Sequence, residues 1–437
     1  MITLPPDHLK RVELNNEVHA RPPDALIAPL RLSFLAMFSD GVSKQAAGQP
    51  IIDLARQFGL EPPDPASNHF SADLGPFRVT WERHTEFTRY SFIEPFDGAL
   101  SFDTMPIRLV PRDWLAQLPG RTIVAAHLAL IKAGTSPVVA EAMSAQHFAG
   151  NVLIGATVAD GAGTALTDFR IYPDGFSRIL LVDQRLAPRQ AGRTVQRLLE
   201  IDAYRILASL ALPIARDLTP FLERAESELA ETTTAMAHEK NADEPALLNR
   251  LIQLEAQIES RRSKSFGRFS AAEAYYDLVR RRIDELREAR IDGLQTFKEL
   301  TERRLVPAMN TCKAVAGRQD ALSTRVAQAT QLLLTRVNIA NEKQNQSILA
   351  SMNRRAKLQL RLQETVEGLS VAAVTYYVVG LVSYIVKGLS AAGWALRSDL
   401  ITALSIPVVA LLVAVGVRRV RAMVNAAPVE PTEAHDD

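Results

Sequence analysis

The sequence predicts an α+β N-terminal soluble domain, then a long helical or coiled-coil stalk, then a C-terminal two-helix transmembrane hairpin. Three observations carry this fold class. Two long uncharged apolar runs lie near the C-terminus, the middle of the chain has apolar residues at helical spacing, and the N-terminal part alternates short apolar segments with turn signals. The boundaries fall at 1–187 for the α+β domain, 188–367 for the helical region, 368–421 for the hairpin and 422–437 for a tail.

In the N-terminal part, Phe77 to Ile93 alternates bulky and polar residues, as two antiparallel strands or one long bent strand would. RTIVAAHLALI reads as a buried strand, and the stretch from Asn151 to Asp183 adds three more. Its turns are Ala159-Asp160-Gly161-Ala162-Gly163 and Tyr172-Pro173-Asp174-Gly175, both of hairpin composition. At least five strands with flanking helices make an α+β domain.

From Pro188 onward almost every window favours helix. The first piece opens on a proline and is expected to break or bend at Pro213. Leu247, Leu251, Leu254 and Ile258 follow the spacing of a helix–helix seam. Ser270 with Glu273 has the form of a capping box and predicts a new helix start. The last soluble helix is expected to run from about Asp320 directly into the first span. Its seam is Leu322, Val326, Leu333, Val337, Ile348, Leu358 and Leu362, and amides such as Asn341, Asn345, Asn353 and Gln359 lie along it. Amides in a seam set register and oligomer state at some cost in stability.

Leu369–Val386 and Leu400–Val417 are each eighteen residues without a charge, about the length a helix needs to cross hydrocarbon. Backbone groups in lipid must bond internally, which selects helix; Pro407 is expected to loosen the second span. Arg354, Arg355, Lys357 and Arg361 precede the first span and Arg418, Arg419 and Arg421 follow the second, against Lys387 and Arg397 between them. That imbalance places both termini on the cytoplasmic side, with Trp394 as an outer-interface anchor. The acidic end, AAPVEPTEAHDD, has the composition of a disordered tail.

Composition narrows the function. Formal net charge is +1, so no global field recruits nucleic acid. Cys312 is the only cysteine, which rules out an intramolecular disulfide and clustered-cysteine metal sites. The N-terminal stretch has no apolar run of the signal-peptide kind. GATVADGAGTAL lacks the spacing of a phosphate loop and joins strand to strand, so it reads as a hairpin turn. His69, Asp73, His84 and Glu86 are the metal or acid–base candidates, with His84 and Glu86 on one face if the strand runs through them. Against them stands the reading of satisfied structural groups. His19 and Arg21, in NNEVHARPP, are polar positions that periodicity does not explain. No nucleophile elbow or HExxH occurs, so no catalytic residue, cofactor or enzymatic activity is expected.

VELNNEVHARPP, SADLGPFRVTWERHTEFTRYSF, TDFRIYPDGFSRILLVD, PRQAGRTVQRLLEIDAYR and LQETVEGLSVAAVTYYVVGLVSYIVKG together resemble a proteobacterial family of predicted membrane-anchored proteins of unknown function. The resemblance covers nearly the whole chain. It implies a bacterial inner-membrane location and carries no residue roles. In layout alone the chain also resembles CorA-type magnesium channels. Their Gly-Met-Asn signature is missing from YIVKGLSAAGW, and Lys387 opposes cation entry at the outer mouth.

The expected function is therefore a non-enzymatic, self-associating scaffold in the bilayer that presents a cytoplasmic domain to a protein partner. The alternative is a CorA-like channel or transporter. Thr375, Tyr377, Gly380, Ser383 and Lys387 are the residues expected to line a pore or pack the spans.

Overall fold

Nine strands form one mixed sheet, ordered β2-β3-β4-β1-β5-β8-β7-β6-β9. They are β1 Leu30–Phe38, β2 His69–Asp73, β3 Arg78–Arg83, β4 Phe87–Pro95, β5 Arg121–Lys132, β6 Ile154–Val158, β7 Gly163–Thr167, β8 Ser177–Asp183 and β9 Ala289–Arg290. Every neighbouring pair is antiparallel except β5 and β8, which run parallel. The helices are α1 Lys44–Gln57, α2 Arg112–Ala116, α3 Ala140–His147, α4 Pro188–Ser209, α5 Ala211–His238, α6 Glu244–Leu286, α7 Phe297–Ala391 and α8 Ser398–Asn425. This computed structural model describes residues 7–11, 24–134, 139–238, 243–391 and 397–425. His19, Arg21, Trp394 and the tail from residue 426 lie outside the described residues.

The alternation read over Phe77 to Ile93 resolves into β3 and β4, joined through His84-Thr85-Glu86. The three strands expected between Asn151 and Asp183 are β6, β7 and β8. Ala159, Asp160 and Gly161 all take positive φ (56°, 58° and 76°), the left-handed pair of a hairpin turn followed by glycine. β1, β2 and α1 carry no strong signal. β1 is LRLSFLAMF, buried on both faces, so its strand appears as an apolar run rather than an alternation.

The two faces of the sheet bury different things. On one face α1 and α2 cover an aromatic core of Phe77, Trp81, Tyr90, Phe92 and Trp114, with Ile51 and Leu54 from α1. Edge-to-face contacts link Tyr90 and Phe92 to Trp114 at 5.6 and 6.1 Å. The opposite face receives α4, which also packs along α6. Pro188 occupies the first turn of α4, where its missing N–H costs no helical hydrogen bond. Gly192 lets α4 come down on the segment before β1. A Cβ there would stand 1.7 Å from the carbonyl oxygen of Asp24.

Two sequence expectations are corrected in the helical part. Ser270 is interior to α6, whose cap is Asp243 accepting from the Ala246 N–H, because the buried stripe Leu251, Leu254, Ile258, Ser265, Ala272, Val279, Ile283 continues through the site. The last helix starts at Phe297, well before Asp320. The break expected at Pro213 is present: one helix ends at Ser209 and the next begins at Ala211, which places Pro213 in the opening turn of α5.

The chain forms two compact units, Met1–Gln331 and Leu332–Asp437. Within the first, α5, α6 and the head of α7 pack together. Arg318 pairs with Glu226 at 2.9 Å and the Ser265 hydroxyl bonds Gln319 at 3.1 Å. Two helices, α7 and α8, are long and apolar enough to cross a membrane.

Gly192→Ala is expected to destabilise the first unit by about 3 kcal/mol, because its Cβ meets backbone that has no room to yield. Gly267→Ala, in the interior of α6 with open space around the new methyl group, is expected to stabilise by about 0.5–1 kcal/mol. Urea unfolding of the two variants, which should move in opposite directions, checks the packing of α4.

Candidate functional site

Between the sheet and helices α4 and α6 lies a chain of charges where an apolar core would be expected. Arg89 of β4 points away from the aromatic core and donates to Glu82 of β3 at 2.5 Å and to Glu200 of α4 at 3.1 Å. Arg282 of α6 donates to the second oxygen of Glu200, and its other nitrogen to Glu285 at 3.0 Å. Arg197 closes the rim by pairing with Glu285 at 3.0 Å, and the Gln196 amide donates to Glu200 at 2.8 Å. Glu82, Arg89 and Glu200 are all under 10% exposed. Glu82 and Glu200 balance Arg89 and Arg282, and this neutrality makes burial tolerable. Burial pulls the Arg89 pKa down, but the two carboxylates push harder and the net shift is upward.

Aromatic rings seal one flank. Tyr204 of α4 stacks on Tyr275 of α6 at 5.7 Å, and Phe87 sets its edge against both. Burial raises Tyr204 to about 12, so its hydroxyl stays protonated and offers no base near neutral pH. On the other flank, a cavity of about 70 Å³ is lined by Asp24, Thr80, Glu82, Arg89, Ser91 and Gln196, enough for a few waters.

The four residues proposed from sequence for metal or acid–base chemistry separate here. His84 and Glu86 sit in the β3–β4 turn and not on one strand face. His84 stacks on Phe87 at 4.4 Å, while Glu86 takes an ion pair from Arg268 of α6 at 2.8 Å. His69 lies opposite Glu82 in the β2–β3 ladder, and Asp73 accepts from the N–H of Gly75. Among the described residues no three His, Cys, Asp or Glu side chains converge as a metal site. Sequence reading passed over Arg89, Glu200 and Arg282. The signal for Glu200 is its place in RLLEIDAYR, where a carboxylate interrupts the buried stripe of α4.

On the other face of the sheet Ser33, His127 and Asp174 stand in line. The Ser33 hydroxyl is 3.0 Å from His127 Nδ1, and Asp174 is 3.9 Å from Nε2. This is not an activated serine. Ser33 is fully buried and accepts from the Ile107 N–H, and the His127 ring lies stacked on Phe176 at 3.9 Å, with no approach for a substrate. Burial is the main cause that lowers the His127 pKa to about 4; Asp174 opposes it, and Arg178 and Arg108 add to it.

In the second unit the pore and packing candidates gather along the apolar end of α7. Thr375, Tyr376, Tyr377, Gly380, Ser383 and Tyr384 line one groove with Ile406 of α8. The Thr375 hydroxyl donates to the Val371 carbonyl of its own helix at 2.7 Å. Lys387 is exposed in the last turns of α7.

A family model matches residues 6–424, and its description reads "Protein of unknown function (DUF3422)". No curated protein matches the chain.

Glu200→Gln is expected to cost about 3–5 kcal/mol, since it leaves Arg89 and Arg282 short of compensating charge in a buried place. Denaturant unfolding checks it, and a loss below about 1 kcal/mol would show that the charges are solvated. His127 generates a pH effect. Its folded pKa lies below the unfolded value near 6.5, so as pH falls the unfolded chain takes up the proton first. Stability should hold above about pH 6.5, fall between there and pH 4, and reach a loss of about 3 kcal/mol. His127→Gln should flatten that part of the melting-temperature profile.

Proposed function

The chain belongs to the DUF3422 family, and on that premise we propose that it is a bacterial inner-membrane protein whose copies associate through α7 and present the sheet domain to a cytoplasmic partner. One observation carries this reading. From Asn338 to Val366 every residue of α7 is exposed, large apolar side chains included. Most helical stability in proteins comes from packing an apolar face, and this stretch packs none against the described residues of its own chain. Ile348, Met352, Leu362 and Val366 are exposed and fall on a four-three repeat whose other positions are Asn341, Asn345, Arg355 and Gln359. That repeat is a coiled-coil seam with polar positions that select register.

The membrane supplies the geometry for such pairing. Two apolar helices at the C-terminal end would hold neighbouring copies parallel and at one height, raising their effective concentration. Arg354, Arg355, Lys357, Arg361, Arg418 and Arg419 flank the spans on the side expected to be cytoplasmic. Nothing in this role demands a catalytic group, and the charge network serves to hold the presented domain rigid.

A channel of CorA-like layout is the second reading, favoured by the hydroxyl side chains of Thr375, Tyr377 and Ser383 in the groove along the first span. The inward bond of Thr375 weakens it, because a hydroxyl turned into its own helix does not line a pore.

The mass of the detergent-solubilised complex tests both readings. The scaffold predicts an oligomer that dissociates when Ile348, Met352 and Leu362 are each replaced by lysine. A monomer in the native protein would sink both readings. A ring of about five subunits that survives the lysine substitutions and conducts ions in liposomes would favour the channel.

A further inference from the structure

Between α6 and the head of α7, inside the first unit, runs a groove with a volume of about 380 Å³. Neither the charge network nor the exposed part of α7 uses it. Its size and its mixed lining are those of a small-molecule site. The apolar part is aromatic on one wall, with Phe269 and Tyr276 from α6, and aliphatic on the other, with Met309 from α7. Phe266 stands at the rim, 64% exposed.

The second observation lies in the same lining. Gln319 is 2% exposed, and its Oε1 accepts from the Ser265 hydroxyl at 3.1 Å. Its Nε2 is buried and has no acceptor among the described residues. Buried amide donors are almost always satisfied, so an orphan lining a groove marks a place where an acceptor belongs. Lys313 lines the same groove with no ion-pair partner among the described residues, whereas Arg262 is already held by Asp320 at 2.9 Å. Glu273 and Asp277 stand on the α6 wall, so the groove as a whole is not a general anion trap.

We propose that this groove binds a small aromatic carboxylate, its ring against Phe269 and Met309 and its carboxylate oxygens taking the Gln319 Nε2 and Lys313 donors. An acid supplies the acceptor that the amide lacks and the charge that the lysine lacks. A purely apolar molecule would leave both unmet, and a free inorganic anion would leave the aromatic wall uncovered.

The test uses full-length protein in lipid nanodiscs, with 2-naphthoate as the probe and 2-ethylnaphthalene as its acceptor-free counterpart. Equilibrium dialysis against empty nanodiscs removes partition into lipid. Expected is saturable 2-naphthoate binding that weakens about tenfold or more in Gln319→Leu, a replacement of similar volume without the donor. Ala316→Phe, which fills the groove from α7, should abolish binding, and both variants should melt with the native protein. No saturable binding by the native chain would overturn the proposal. So would equal affinity for the two probes, or unchanged binding in both variants, which would reduce the groove to a water-filled gap. The result is independent of oligomeric state, so it stands or falls apart from the scaffold reading.

Discussion

Glu200 is the residue on which the two halves of the sheet domain depend. One carboxylate on α4 holds a strand arginine, Arg89, with one oxygen and a helix arginine, Arg282, with the other. The sheet, α4 and α6 are therefore joined by groups that cannot be separated without exposing buried charge. An apolar contact of the same area would tolerate small shifts of α6 along the sheet, because hydrophobic burial is non-directional. A network of directional bonds permits only one register. The consequence reaches beyond the domain core. α6 is also the helix that walls the aromatic groove, so the position of Phe269 and Tyr276 relative to α7 follows from where Arg282 is held.

The sheet explains why such a network is supportable. Its opposite face buries Phe77, Trp81, Tyr90, Phe92 and Trp114 against α1 and α2. The α4 face also buries apolar groups, Val195, Leu198, Leu199 and Leu207 among them, beside its charges. The stacked Tyr204–Tyr275 pair closes one flank of the charges, and the small cavity beside Gly192 leaves room for only a few waters on the other. The Ser33–His127 pair shows the same economy on the other face: a polar cluster satisfied within the fold, neutral because it is buried, and out of reach of any substrate.

The second unit contains two stretches of helix that are long and apolar enough to cross a membrane. Its apolar side chains are outward, which is a defect in water and a requirement in lipid. α7 passes from the packed head, where Leu322 and Val326 are buried, through a stretch that no other element covers among the described residues, to its apolar end. A single helix thus offers three surfaces of distinct chemistry: one satisfied within the chain, one suited to another copy, and one suited to a bilayer. The family to which the chain belongs assigns none of them a role, so the chemistry of each surface is the available guide.

Local pattern made several elements legible in the sequence. The hairpin turns at Ala159 and Tyr172 follow from turn chemistry, β3 and β4 from alternation, and the two apolar helices from runs of uncharged residues, all properties of residues close in the chain. Capping at Ser270 was misread because a capping box is a local signal, and the continuous buried stripe of α6 outweighs it. What the tertiary structure alone decided is everything that depends on partners distant in sequence. Arg89 meets Glu200 across 111 positions, and Gln319 meets Ser265 across 54. His84 and Glu86, neighbours in sequence, are drawn apart by Phe87 and by Arg268 of α6. A charged side chain in a sequence carries no mark of whether it will face water or another charge. Its neighbours across the sheet settle that, and they are known only once the chain has folded.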